Sequence, residues 1–237
     1  MKTFKEHLNM IYSLNEQVVN PPIKFDHNDN EDPDKELFFI HHAPETKDNN
    51  QIDAIKSYCD HSTSMNKSLW KKKFDFIEDE KNASLLTDAL KTAPAAKEDF
   101  HVYTGVNANR NEIKKGDLHI PAFTSASYSP IIAGRFVRPI ENRHTEEYHP
   151  DEDGNMVKHT VHHILKIHVK KGQQVGAYIA DHSFAPHEKE FLINKGHTIH
   201  ISGDYEDHHN PPEENGYSRT RRIYRIHHAT ITPDDDK

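Results

Sequence analysis

The chain has 237 residues and a net charge of −8, and its 34% apolar residues suffice for the core of one large domain, with or without an arm. No apolar run is long enough for a transmembrane helix, and the net acidity excludes a non-specific coat on nucleic acid. The single cysteine, Cys59, excludes an internal disulfide, and the polar start MKTFKEHLNMIY lacks the apolar region of a secretory signal, so we predict a cytoplasmic protein.

Residues 1–50 are predicted to form an arm. Their first segment has enough helical periodicity for one short amphipathic helix, which two consecutive prolines end. The acidic run FDHNDNEDPDKE that follows predicts a solvated, partly disordered linker. The apolar patch LFFI, residues 37–40, is expected to dock on the folded domain, which we assign to residues 51–237.

Helical periodicity dominates from Gln51 to Pro94, and the proline ends this part of the chain. The apolar positions that carry the helical pattern are Ile52, Ile55, Tyr58 and Cys59, then Met65, Leu69, Trp70 and Phe74, and finally LLTDALK at 85–91.

After Asp99 the apolar period changes to two, which predicts strands. A short helix, SPIIAGRFV, with Ser129 as its N-cap, interrupts them, and the polar residues 138–159 predict a long excursion loop. Helices followed by strands indicate an α+β domain. The predicted strands are FHVYTGV (100–106), HIPAFTSAS (119–127), HILKIHV (163–169), VGAYIA (175–180), EKEFLI (188–193), HTIHIS (197–202) and RIYRIHHATI (222–231).

Histidine is abundant, with 21 residues and several adjacent pairs. A zinc site needs three or four ligands that converge, often with short fixed spacings. No HExxH motif occurs, and His197 and His200 lie three apart in a predicted strand. A compositional use of histidine on the surface is the simpler interpretation, and we predict no metal site.

Glu188 and Glu190 form a pair of carboxylates in the predicted strand 188–193. Residues two apart on a strand point to one face, about 6–7 Å from each other. Such a pair suits acid–base chemistry or the stabilisation of a developing cation, although two acids on a strand more often simply face solvent. Phe191 and Ile193 would point to the opposite, buried face.

Two further motifs carry hydroxyl groups and a glycine. Ser125 and Ser127 would share one face of the strand 119–127, where hydroxyls can bond a carboxylate or a ligand. Gly105 lies inside the strand 100–106 and indicates a bulge, or a close approach of a ligand to the backbone. Each motif taken alone also fits an ordinary strand.

Together, an aromatic-x-Gly strand, an F-x-S-x-S strand and a C-terminal E-x-E resemble the ADP-ribosyltransferase exoenzyme family, with its Arg, Ser-Thr-Ser and Glu-x-Glu motifs. The phage-encoded mono-ADP-ribosyltransferases are most similar, particularly in GDLHIPAFTSAS and HEKEFLINKGHTIHI. The helix IKSYCDHSTSMNKSL also resembles the family's N-terminal helix, in which a Tyr is followed by Asn-x-x-Leu. The resemblance covers roughly residues 51–232.

The resemblance implies an α+β fold in which N-terminal helices precede a split, mixed or antiparallel β-sandwich. It implies transfer of ADP-ribose from NAD to an arginine of a host protein, or to RNA, in the host cytoplasm or from the virion. Glu190 would be the catalytic glutamate, Glu188 would orient the acceptor, and Ser125 would hold Glu190. No metal, membrane or DNA is implied.

The resemblance also implies which residues bind the substrates. The backbone of Gly105 would hold the nicotinamide carboxamide, and the loop 178–187 would recognise the acceptor through Phe184 and His187. The residues implied in NAD binding are Tyr103, Thr104, Gly105, Ser127, Arg135 and Phe136.

Thr104 departs from the family's first motif, which has an arginine that contacts the NAD phosphates. Threonine can donate a hydrogen bond but forms no ion pair. Arg110 or Arg135 would have to reach the phosphates instead.

Three functions therefore stay open. The first is the transferase, the second a catalytically impaired phage or virion-associated binding protein with the same fold, and the third a histidine-based metal-binding protein. Thr104 favours the second, whereas the retention of both glutamates and Ser125 favours the first.

Overall fold

The structure is a computed structural model that describes residues 38–106, 113–135, 137, 146–150, 154–183, 186–210 and 221–233. Two long helices, α1 (Asn49–Lys71) and α2 (Ile77–Lys91), precede nine strands within these ranges, as predicted for an α+β domain. No helix of the described ranges is long and apolar enough to cross a membrane. The strands are β1 (Phe100–Val106), β2 (Gly116–Ile120), β3 (Thr124–Ser127), β4 (Glu146–Pro150), β5 (Met156–Val169), β6 (Gly176–Tyr178), β7 (Glu190–Ile193), β8 (His197–Asn210) and β9 (Arg221–Thr232).

Three shorter elements connect the strands. The helix α3 (Pro130–Arg135) lies between β3 and β4, and two 3-10 turns, Ala180–His182 and Pro186–Glu188, lie between β6 and β7. Ser129 caps α3, since its Oγ accepts the Ile132 N–H at 3.4 Å. The helix predicted after the serine motif is therefore confirmed, with Ser129 in its predicted role.

The strands form one mixed sheet in the order β2-β8-β9-β5-β1-β3-β7-β6, with β4 paired to β5. Only β5 and β9 run parallel among these pairs. β1 and β3 share a single register pair, Tyr103 opposite Ser127. The sheet thus divides at that pair into a large half, β1 with β2, β4, β5, β8 and β9, and a small half, β3-β7-β6. This division is the split sheet that the resemblance implies.

Three apolar clusters hold these layers together. The first joins the two half-sheets and contains Val102 and Ile167 of the large half with Phe191 of the small half. The second packs α1 and α2 on the other face of the small half, where Leu192 points. The third packs α3 on the large half. Because neighbouring strand residues point to opposite faces, β7 is buried on both sides.

The first helix combines two segments that the sequence shows as separate helical patterns. Its N-cap is Asp48, which accepts the Asn50 N–H at 2.9 Å, and Lys72 ends it in the left-handed conformation at φ 53°. His61 has non-helical backbone angles in between, with φ −129°. The predicted helical region from 51 to 91 is confirmed as a kinked helix followed by α2.

Residues 38–40 form a helical turn that docks on the core, as predicted for the LFFI patch. Phe39 is 4% exposed, and its ring stacks on Tyr128 with centroids 5.1 Å apart. Residues 1–37, with the predicted acidic linker, lie outside the described residues. The division of the chain at residue 50 stays a prediction.

The predictions for two segments between residues 119 and 159 are wrong. HIPAFTSAS is two strands, because Pro121 has no N–H for a ladder: β2 pairs with β8, and β3 pairs with β7. The predicted loop 138–159 contains β4 and the start of β5, which pair with each other. Polarity suggested a loop there, but one of its acidic side chains, Glu147, enters a buried ion cluster.

That cluster centres on Arg225, whose side chain is 6% exposed. Its guanidinium donates to both carboxylate oxygens of Glu147, at 3.0 and 3.1 Å, and to Asp207 at 2.6 and 2.7 Å. Burial opposes the charge, but these hydrogen bonds outweigh it and raise the pKa of Arg225. Arg225, in the arginine-rich stretch 218–225, therefore joins β9 to β4 and β8, and removal of either carboxylate would leave a buried charge without a partner.

A buried histidine pair lies beside Arg225. His163 Nδ1 and His227 Nε2 are 2.9 Å apart with stacked rings, a bond that two neutral rings can form. Burial, with the nearby charge of Arg225, lowers the pKa of His163 to about 3 and that of His227 well below its usual value. The folded protein therefore holds both rings neutral.

Other histidines also bond to protein groups. His197 Nε2 lies 3.0 Å from the Val175 carbonyl oxygen, and His200 bonds Asp117 and Thr232 from its two ring nitrogens. Across the described ranges, no group of three or more His, Cys, Asp or Glu residues is placed to hold a metal ion.

The histidine pair predicts acid sensitivity. Below about pH 6.5 the unfolded chain protonates both rings while the folded chain does not, so stability falls as the pH decreases from about 6.5, and for His163 this loss continues to about pH 3. Chemical denaturation of His163→Gln/His227→Gln should show a shallower acid loss than the wild type. The exposed His41→Gln is the matched control, and equal pH dependence of the double variant and the wild type would contradict the assignment.

Candidate active site

A cleft of about 300 Å³ lies where the two halves of the sheet separate. A sheet that shares one register pair at β1 and β3 leaves room between these strands, and α1 and α3 close the sides. The lining residues are Tyr58, Cys59 and Ser62 of α1, Tyr103, Thr104 and Gly105 of β1, Ser125, Ala126 and Ser127 of β3, Ala133 of α3, and Glu188 and Glu190.

Both predicted glutamates line this cleft, but they do not share a strand. Glu188 ends a 3-10 turn and Glu190 begins β7, while Lys189 between them has a left-handed φ of 50°. The prediction that Glu188 and Glu190 lie on one amphipathic strand is therefore wrong. The turn at Lys189 replaces strand alternation as the reason why both carboxylates enter one site. Phe191 and Ile193 are buried opposite Glu190, as predicted.

A chain of hydrogen bonds from α1 leads to Glu190. Asn66 Nδ2 donates to the Tyr58 hydroxyl at 3.1 Å, and that hydroxyl lies 3.3 Å from Ser125 Oγ. Ser125 in turn bonds the Glu190 carboxyl group. Asn66 Oδ1 also accepts the N–H of Phe123, just before β3, at 3.1 Å. One side chain of the helix thus fixes both the Tyr58 hydroxyl and the strand that carries Ser125.

Burial is the largest cause of the pKa shifts along this chain of hydrogen bonds. Desolvation raises the pKa of Glu190, its bond with Ser125 opposes the shift, and the charge of Glu188 adds to it. Burial and the nearby Glu190 also raise the pKa of Tyr58, so its hydroxyl stays protonated and able to donate. The same causes raise the pKa of Cys59 to about 11, which keeps its sulfur a thiol rather than a nucleophilic thiolate.

Thr104 is 8% exposed and uses its hydroxyl inside the protein. Its Oγ1 donates to the Ser125 carbonyl oxygen at 2.8 Å. This bond ties β1 to β3 next to their single register pair. Thr104, which is predicted to occupy the position of the arginine in the first motif, thus supports the backbone of Ser125.

Gly105 allows helix α3 to approach β1. A Cβ at this position would lie 2.6 Å from the Ala133 carbonyl oxygen and 2.7 Å from Val137 Cγ2. The sequence indicated a close approach to the backbone at Gly105, and helix α3 of the protein itself makes such an approach. The glycine also lines the cleft, which is compatible with the predicted contact to nicotinamide.

Ser127 lines the cleft and also shapes its wall. Its Oγ accepts the Ser129 N–H at 3.2 Å, which fixes the turn from β3 into α3. Ser127, Tyr103 and Ala133 meet at the junction of β1, β3 and α3.

The remaining predicted site residues are not placed in the cleft. Phe136, Phe184 and Arg110, and the side chain of Arg135, lie outside the described residues. His187 is exposed in the turn that ends at Glu188. Tyr178, where the predicted acceptor loop begins, is instead a buried residue of β6.

Sequence reasoning assigned no role to Tyr58, Asn66, Cys59 and Ser62 of α1. The Tyr and Asn-x-x-Leu pattern of this helix, which resembles the family's N-terminal helix, is the sequence signal that points to Tyr58 and Asn66. Periodicity placed Tyr58 and Cys59 on one face without showing that this face meets β3.

The family of the chain follows from comparison with known proteins. The model of the ADP-ribosyltransferase exoenzyme family matches residues 24–220, which is most of the chain. The protein therefore belongs to the ADP-ribosyltransferase exoenzyme family, whose enzymes use NAD as substrate. A comparison with curated protein sequences finds no significant match.

Solved structures show the same fold. Vis from Vibrio splendidus, an ADP-ribosyltransferase in complex with agmatine, has a TM-score of 0.53 and 19% identity over 88% of this chain and 87% of its own. Plx2a, an ADP-ribosyltransferase toxin from Paenibacillus larvae, has a TM-score of 0.53 and 17% identity, covering 90% and 100%. C3stau2 from S. aureus with NAD has a TM-score of 0.55 and 14% identity, covering 92% and 100%.

Thr104→Val tests whether this hydroxyl holds β3. Valine keeps the shape but leaves the Ser125 carbonyl oxygen without its donor, at a cost of about 1–3 kcal/mol. We expect chemical denaturation to show this loss, together with weaker NAD turnover. The matched control is Thr124→Val, at a half-exposed position of β3. Equal effects of the two substitutions would contradict the role of the Thr104 hydroxyl in holding β3.

Proposed function

We propose that the protein is a mono-ADP-ribosyltransferase that moves ADP-ribose from NAD to an arginine side chain of a host protein and releases nicotinamide. The observation that carries this proposal is the convergence of Glu190, Glu188 and Ser125 in one cleft. Family membership supports the use of NAD as the donor.

The assignment of Glu190 to bond cleavage follows from its burial and its partners. Departure of nicotinamide leaves positive charge on the ribose, and a fixed carboxylate nearby stabilises that charge most where water is excluded. Glu190 is 9% exposed and is bonded to Ser125, which is itself bonded to Tyr58. The carboxylate is therefore held in place before the charge develops, and its single negative charge matches the single positive charge that forms.

The assignment of Glu188 to the acceptor follows from its position at the cleft. It lies at the end of the exposed 3-10 turn, half-buried, with its carboxylate close enough to Glu190 to raise the pKa of the latter. A carboxylate can bond a guanidinium in a bidentate way, and can accept a proton from its nitrogen as that nitrogen forms a bond to the ribose carbon and nicotinamide leaves. Vis was solved in complex with agmatine, which carries a guanidinium group, and this supports an arginine-type acceptor.

A binding protein without transferase activity is the second candidate, and Thr104 is the observation that favours it. The Thr104 hydroxyl bonds the Ser125 carbonyl oxygen and has no positive charge for the NAD phosphates. The likeness to phage-encoded enzymes would place either function in the cytoplasm of a host bacterium or in the virion.

Incubation with labelled NAD tests these functions. We expect label on agmatine and on proteins of a bacterial lysate, with release of nicotinamide. Label that is sensitive to ribonuclease would identify RNA as the acceptor and overturn the protein acceptor. Absence of both NAD cleavage and labelling at millimolar NAD would overturn the transferase and leave the binding protein.

Glu190→Gln should abolish transfer and NAD hydrolysis without unfolding the protein. The amide keeps the shape of the side chain but is neutral, as the protonated acid is. Loss of one such electrostatic partner costs about 3–4 kcal/mol, or about 10²–10³ in rate. Nicotinamide release reports the rate, thermal unfolding reports the fold, and the exposed Glu98→Gln is the control. A rate within a few-fold of wild type would exclude Glu190 as the catalytic glutamate.

Glu188→Gln should separate the two activities. Transfer to agmatine should fall by about 10²-fold or more, as for loss of a general base, whereas hydrolysis of NAD by water should persist because Glu190 is intact. The measurement is the ratio of labelled agmatine to released nicotinamide. An equal loss of both products would contradict this division of roles.

A further inference from the structure

The residue between the two glutamates has a conformation that its type rarely adopts. Lys189 has a φ of 50°, in the left-handed region that favours glycine, and its N–H closes the 3-10 turn by donating to the Pro186 carbonyl oxygen at 3.0 Å. Lys189 lies between Glu188 and Glu190 in sequence, and both glutamates line the cleft. The backbone angle at Lys189 therefore sets how the two carboxylates are placed relative to each other.

The side chain of Lys189 is held by an aromatic ring. Its Nζ lies 5.3 Å from the centre of the Tyr128 ring, within the range of a cation–π contact. Tyr128 is buried and directly follows Ser127, the last residue of β3. The Tyr128 ring also stacks on the ring of Phe39, at an interplanar angle of 13°, and this contact helps to fix its position. The turn between the glutamates is thus attached to β3 and to the docked segment 38–40.

The backbone on the far side of Lys189 is fixed by a separate set of bonds. Glu190 pairs with Ser127 in the register of β3 and β7, and its carbonyl oxygen accepts the Ile179 N–H at 2.9 Å. No such pairing holds Glu188, which ends the 3-10 turn on the exposed side. A change at Lys189 would therefore move Glu188 while Glu190 stays in the sheet.

We propose that Lys189 is a positioning residue for transfer. Through its contact with Tyr128, it fixes the position of the Glu188 carboxylate relative to that of Glu190. The proposal rests on the proposed function. It assigns no contact with NAD or the acceptor to Lys189. It predicts that loss of the ring contact lowers transfer to the acceptor more than hydrolysis of NAD.

Three substitutions separate the charge, the length and the backbone conformation. Lys189→Met keeps the length and removes the cation, and we expect transfer to agmatine to fall about three- to tenfold, the size of one cation–π contact. NAD hydrolysis and the KM for NAD should stay within about twofold. Lys189→Arg keeps the cation and should retain the wild-type ratio of transfer to hydrolysis. Lys189→Gly adopts a positive φ without strain, and should lose transfer as Lys189→Met does.

The outcomes distinguish this proposal from the proposed function. The half-exposed Lys195→Met, in the turn after β7, is the matched control and should behave as wild type. A wild type that transfers to agmatine, with an unchanged transfer-to-hydrolysis ratio in Lys189→Met, overturns the positioning role alone. Full transfer by Lys189→Gly also overturns it, since the backbone conformation would then suffice. A wild type that neither hydrolyses NAD nor labels agmatine overturns the proposed function itself.

Discussion

A carboxyl group that leaves water must gain hydrogen-bond donors or lose its charge, and Glu190 is such a group at the junction of two half-sheets. Its bonded partner is Ser125 of β3, and Ser125 is in turn held by Tyr58 and Asn66 of α1, so three separate elements meet at this carboxyl group of β7. None of these elements is close to another in sequence. The packing of α1 on the small half-sheet therefore supports the bond of Ser125 to Glu190, and a kinked helix far from Glu190 in sequence becomes part of the candidate site.

The split in the sheet is the complementary requirement. A sheet with full pairing between β1 and β3 would have no cleft, and one with no pairing would leave the two walls free to move apart. The single pair of Tyr103 with Ser127, the Thr104 bond to the Ser125 carbonyl oxygen, and the contact of Gly105 with α3 together fix the walls. One backbone pair, one hydroxyl bond and one glycine contact fix the walls, and the cleft between them holds about 300 Å³.

The sequence predicts the parts of this site that depend on residue type. Glu190, Ser125 and Gly105 were identified by the order of their motifs, and Phe39 by its apolar patch. The conformation of Lys189 was not predictable, because lysine rarely adopts a positive φ and strand alternation was the simpler expectation. The partner of Thr104 depends on the spacing of β1 and β3, which are distant in sequence, and polarity concealed β4 because its acidic side chain pairs with a buried arginine.

Two buried titratable centres give the protein opposite responses to acid. Desolvation raises the pKa of Glu190, so the folded state accepts a proton there more readily as pH falls, and the cost of burying the charge disappears. Desolvation lowers the pKa of His163 and His227, so the folded state refuses protons that the unfolded chain accepts. Acid therefore removes the charge of Glu190, which ends the cost of burying that charge, and weakens the large half-sheet at the same time. The charge that the proposed reaction needs at Glu190 and the neutral histidine pair in the large half-sheet both require a pH above the protonation of these groups, and in both cases the cause is burial away from water.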